Sequence, residues 1–123
     1  MSDIIYQSTI TQIGELAQDI VADGMLITFK QGAPADLVDY CFIHSHDKLR
    51  DELRIGQILR LGEQDYIVTA VGDVATTNLR ELGHITLRFD GATIAELPGC
   101  VHVQGTLPID LSAGHQITLI NNQ

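Results

Sequence analysis

Tryptophan is absent from this sequence of 123 residues, and aromatic residues make up only 5% of it. Any core must therefore be filled by Ile, Leu and Val, which suit strands and tight interiors. Only two cysteines occur, Cys41 and Cys100, and no C-x-x-C. That excludes a zinc ribbon and a thioredoxin-type centre, and a reducing cytosol argues against a disulfide between the two. Both lie in apolar stretches and read as small buried hydrophobes. Basic residues are scarce, 7 against 16 acidic, for a formal charge of -9. A nucleic-acid partner draws most of its affinity from Lys and Arg, so this balance argues against one. No apolar run approaches the roughly 18 to 20 residues of a membrane helix, and no basic region precedes an apolar one at the start. A protein that is cytoplasmic and not embedded in a membrane is expected. No phosphate-cradling glycine loop and no Gly-x-Ser-x-Gly elbow are present, so no nucleotide and no cofactor is expected.

What is present is apolar enough, at 45%, to bury a core, and only 19% is charged. Those proportions and the length fit a single domain over residues 1–123. Short β-branched and alternating runs recur between Gly, Pro and Asp punctuation. They begin with Ile4–Gly14 and Met25–Lys30, and continue with Tyr40–His46. Gln57–Leu61 and Asp65–Val71 flank Gly62-Glu63-Gln64, a hairpin signal. His84–Asp90, Cys100–Gly105 and His115–Ile120 complete about eight strands. Short helical turns are expected near Glu15–Asp23, after Pro34 and over Thr76–Leu82, and a loop over Leu107–Gly114. Many short strands with little helix predict an all-β fold, a sandwich or a closed barrel.

The stretch Tyr40-Cys41-Phe42-Ile43-His44-Ser45-His46 carries the chemistry. Alternation in a strand puts Phe42, His44 and, if the strand runs on, His46 on one face, with Cys41, Ile43 and Ser45 on the other. Paired imidazoles suit a metal ion, a general acid/base pair, or a nucleophilic histidine with a supporting neighbour. The bland alternative is a polar strand end whose histidines face water. A metal site would need a third histidine from another strand, and no clear carboxylate ligand accompanies the pair. His102, between Val101 and Val103, is a candidate supporting residue; alone it would read as a partly buried histidine bonded to backbone. His84 shares a face with Thr86 and Arg88, a set that could hold an oxyanion but reads more simply as an exposed polar face. His115 reads as solvent-facing, without a role.

Taken in order, several blocks resemble the IIA component of the glucitol/sorbitol-specific phosphotransferase system. They are Ile5–Gly14, Met25–Phe29, Gly32–Leu37, Tyr40–His46, Thr69–Gly72, Asn78–His84, Thr86–Gly91 and Pro98–Val103. The resemblance covers nearly the whole chain. It implies a closed, Greek-key-like β-barrel and a phosphocarrier that accepts a phosphoryl group from phospho-HPr on a histidine. That group then passes to the EIIB component for sorbitol uptake. The family histidine falls on His44. A neutral imidazole is a competent nucleophile, and its other nitrogen needs an acceptor such as a backbone carbonyl to fix the tautomer. His46, His102, Ser45 and backbone N–H groups are candidates to support the transferred group, with His102 ranked above His84. Partners would dock around His44, where Asp36, Asp39, Asp47 and Asp51 could complement a basic surface.

Overall fold

The computed structural model describes residues 3–108 and 110–121. The first two residues, Ile109 in the loop expected over Leu107–Gly114, and most of the polar tail lie outside that description. Eight strands close on themselves: β1 (Asp3–Ile13), β2 (Met25–Lys30), β3 (Cys41–His44), β4 (Ile58–Leu61), β5 (Gln64–Val71), β6 (Ile85–Arg88), β7 (Cys100–Gln104) and β8 (Gln116–Asn121). Three short helices connect them: α1 (Ala17–Ala22), α2 (Ala35–Val38) and α3 (Ala75–Leu82).

Around the barrel the strands run β1-β3-β2-β6-β7-β5-β4-β8 and back to β1. The expected closed barrel is therefore present, and among the described residues closure leaves no long unpaired edge. Two neighbouring pairs, β2–β3 and β6–β7, are parallel. Alternation predicts strands but not their direction, and parallel neighbours need a crossover between them. The segment containing α2 supplies it for β2 and β3, and the loop 89–99 supplies it for β6 and β7.

Periodicity shows directly in burial. Along β5, Tyr66, Val68 and Ala70 point inward, and along β6 Ile85 and Leu87 do so. Tyr66, Val68, Ile85 and Leu87 join Tyr6, Ile10, Leu26, Phe42, Leu59, Leu61, Val103 and Leu119 in one core. β3 departs from half-burial, since all four of its residues are buried. Its two faces meet different surroundings. Phe42 faces the barrel core, whereas Cys41 and Ile43 pack with Phe29 and Val38 beneath α2. His44 shares the Phe42 face by alternation, so the strand delivers it to the interior at the barrel's end. Both cysteines are free and buried, and burial pushes the Cys41 thiol up to about 11.

Candidate functional site

His44 is 0% exposed. A buried imidazole needs partners for both nitrogens, and three separate elements provide them. Nε2 lies 2.7 Å from the carbonyl oxygen of Gly83. A carbonyl only accepts, so Nε2 carries the proton and Nδ1 the lone pair. Nδ1 accepts from the Ser8 hydroxyl at 2.8 Å and from the backbone N–H of His46 at 3.2 Å. The Tyr6 hydroxyl stands 3.5 Å from the same nitrogen.

The Gly83 carbonyl is itself fixed. α3 ends at Gly83 in the left-handed region, φ 60°, where glycine is the natural terminator. The N–H groups of Gly83 and His84 return to the carbonyls of Leu79 and Asn78. The buried Thr28 hydroxyl donates to the Gly83 carbonyl at 2.9 Å. A Cβ on Gly83 would meet His44 Cε1 at 2.8 Å and Nε2 at 2.9 Å, so only glycine lets the helix end approach the imidazole this closely.

The chain does not run on as a strand past His44, as alternation allowed. β3 stops there, and His46 takes φ 67°, the left-handed region, which is uncommon for a residue with a side chain. The two rings still come together, with centroids 6.0 Å apart, but through a turn. His46 Nε2 donates to the Arg80 carbonyl at 3.1 Å, and its Nδ1 accepts from the Tyr6 hydroxyl at 2.7 Å. Tyr6 thus reaches both histidines, and the half-buried His46 covers the wholly buried His44. Ser45 lies at the rim: its hydroxyl accepts from the Thr9 N–H at 3.2 Å and stands 3.3 Å from Ser8 Oγ.

Burial lowers the pKa of His44 below its ordinary 6.5, opposed by the bond to Gly83 and assisted by the neighbouring His46. The ring is therefore neutral and nucleophilic in character at neutral pH. Burial raises the Tyr6 hydroxyl well above its usual range, so it stays a proton donor.

His102 is not brought to this centre. It stands opposite Arg88, which stands opposite Met25 at the start of β2. His44 stands opposite Lys30, at the end of β2. Those two levels are about 17 Å apart at roughly 3.3 Å per residue. His102 is a buried clip: Nδ1 donates to Asp90 at 2.8 Å and Nε2 accepts from the Glu96 N–H at 3.0 Å, fastening the loop before β7. The favoured partner was expected to be backbone; a carboxylate shares the task. His84 donates from Nδ1 to the Thr28 carbonyl at 3.0 Å and lies beside Phe29, with centroids 5.1 Å apart. His115 is half-buried, and its Nδ1 accepts from the Ser112 N–H at 3.1 Å.

Among the described residues, no three His, Cys, Asp or Glu side chains gather as metal ligands would. Two of the acidic residues near the pair, Asp47 and Asp51, are occupied. Asp47 accepts from Arg50 at 2.8 Å and from the Gln7 and Lys48 N–H groups. Partial burial opposes these bonds, yet its carboxyl is held below the usual range. Asp51 is paired with Arg54 at 2.9 Å and held down to about 2 by that bond first, then by Asn121.

Tyr6, Ser8 and Gly83 were not singled out from the sequence. One signal was available: Tyr6 and Ser8 are two apart in β1, and so share an inward face with Ile10.

Known proteins share this arrangement of chain. Residues 5–118 match the family model for the glucitol/sorbitol-specific IIA component of the phosphotransferase system. The glucitol/sorbitol-specific EIIA component of Shigella flexneri is 59% identical over 111 residues, covering 90% of each chain. The same figures hold for that of Escherichia coli strain K12. The crystal structure of a phosphotransferase-system IIA component from Enterococcus faecalis superposes with a TM-score of 0.82 at 30% identity, covering 90% of this chain and 96% of that one.

Proposed function

Because the chain belongs to the family of glucitol/sorbitol-specific IIA components of the phosphotransferase system, we propose that His44 carries the phosphoryl group between phospho-HPr and the EIIB component of sorbitol uptake. The protein is a phosphocarrier, a component of a phosphotransferase system. Among the described residues no helix is long and apolar enough to cross a membrane, and the working place proposed is the cytoplasm, beside a membrane-bound sugar permease.

The observation that carries the assignment is the set of bonds on His44. One ring nitrogen is held by a backbone carbonyl, and the other by polar donors alone. Transfer breaks the P–N bond of the donor phosphohistidine, and its electron pair returns to the donor imidazole. A lone pair of His44 forms the new P–N bond. Each imidazole keeps the proton on its other nitrogen, so no net proton moves. Such transfers depend mainly on positioning and on charge stabilisation. Ser8 and the His46 N–H are donors already on the ring, and the Tyr6 hydroxyl, which donates to His46, stands beside them. His46 supports the centre and also shields it, so docking of a partner has to displace the His46 ring.

The test is intact mass after incubation with phosphoenolpyruvate, Enzyme I and HPr. Wild type is expected to gain one acid-labile phosphoryl group, and His44→Ala none. A gain in both would move the carrier to another histidine, His46 first. No gain in either would overturn the assignment.

A further inference from the structure

We propose that Lys30, Lys48 and Arg80 form a cationic mouth over the paired histidines that binds the oxygens of the phosphoryl group on its way to and from His44. This deepens the phosphocarrier reading and rests on it. In a chain with 16 acidic and 7 basic residues, free cations are scarce. Arg50, Arg54 and Arg60 each lie within 3 Å of a carboxylate oxygen, at 2.8, 2.9 and 2.6 Å. Arg88 Nε stands 3.2 Å from Glu96, close enough to pair in charge though without hydrogen-bond geometry. Among the described residues, the three cations without a carboxylate partner are Lys30, Lys48 and Arg80.

They come from three different elements, and two of them share one depression while Lys30 stands beside the end of α3. Arg80 and Lys48 line an open depression of about 460 Å³ together with Ser45 and His46. The Arg80 carbonyl is the acceptor of His46 Nε2, which ties α3 to the His46 ring. Lys30 stands opposite His44 in the ladder, and its Nζ donates to the Glu81 carbonyl at 3.1 Å, near the end of α3. One ammonium bond there leaves two more donors. Asp47 also lines the depression, but Arg50 and two backbone N–H groups already hold it. Of the charged side chains lining the depression, Asp47 is thus paired, whereas Lys48 and Arg80 have no carboxylate partner among the described residues.

A phosphoryl group in transfer spreads negative charge over three oxygens, and cations placed around them are the usual stabilisers. Arg80 offers a planar fork of donors, and the lysines offer mobile point charges. His46 would separate these cations from His44 until its ring moves.

The probes are inorganic phosphate and phospho-HPr. Inorganic phosphate is expected to shift the amide resonances of Ser45, His46 and Arg80 saturably in wild type. The triple variant Lys30→Gln, Lys48→Gln, Arg80→Gln should lose those shifts. Single-turnover transfer from phospho-HPr should slow on the order of tenfold or more for Lys48→Gln with Arg80→Gln, from the loss of charged hydrogen bonds. Arg60→Gln, in β4 and outside the mouth, should leave the rate unchanged. Lys48→Arg with Arg80→Lys should restore the phosphate-induced shifts, which a loss of folding would not allow. Phosphate shifts that persist in the triple variant, or wild-type transfer by it, would overturn the proposal. Should wild type take up no phosphoryl group at all, the carrier reading falls, and the phosphate shifts alone decide whether the mouth exists.

Discussion

His44 Nε2 donates to the Gly83 carbonyl at 2.7 Å, across a gap that a single methyl group would close. Gly83→Ala combines a left-handed backbone, costing about 1–2 kcal/mol for a residue with a Cβ, with a clash against the imidazole. The expected result is a loss of roughly 2 kcal/mol or more in urea unfolding and a large fall in phosphoryl uptake. A variant with wild-type stability and uptake would show that the helix end and the ring are not coupled.

The depressed pKa of His44 has a definite sign. Its folded value lies below the ordinary 6.5, so below that pH the unfolded chain binds a proton that the folded one resists. Stability contributed by keeping the ring neutral is intact above pH 6.5 and declines as pH falls toward the folded value. Following the Cε1 proton of His44 by NMR, we expect a titration midpoint below 6.5. A midpoint at or above it would contradict the burial described for the ring.

Removing the His46 ring should expose His44. His46→Ala deletes the ring that is bonded to Tyr6 and to the Arg80 carbonyl. Carbethoxylation of His44 by diethyl pyrocarbonate, located by peptide mass, should then proceed several-fold faster than in wild type, because burial restrains reactive side chains. An unchanged rate would mean that His46 is not the barrier.

His102→Ala separates structure from chemistry. It leaves Asp90 and the Glu96 N–H without their shared partner, which should cost about 1–3 kcal/mol. Phosphoryl uptake per folded molecule should stay at the wild-type level. A specific loss of uptake with stability retained would return His102 to the transfer machinery.

Much of the barrel was legible because a strand's period is written locally. Tyr66-x-Val68-x-Ala70 and Ile85-x-Leu87 alternate as half-buried strands do. The same rule placed His44 on the Phe42 face. It could not say where β3 ends, since the left-handed turn at His46 is held by distant groups, the Tyr6 hydroxyl and the Arg80 carbonyl. Nor could it bring Ser8 and Gly83 to His44, because they are 36 and 39 residues away in sequence. Barrel register makes those contacts, and register is set by all strands together. Charge was misleading for a related reason. Asp47 and Asp51 look like a negative face in sequence, but each is taken by an arginine three residues on.

The barrel closes by pairing its first strand with its last, Asp3 opposite Asn121. The same first strand supplies Tyr6 and Ser8 to His44. On a ribosome, β1 has emerged long before its second neighbour, β8, exists. Pairing over such sequence distances is slow, commonly milliseconds to seconds for β-rich domains. Fragments lacking β8 would therefore leave β1 open along one side, and with it the strand that holds Tyr6 and Ser8 against His44.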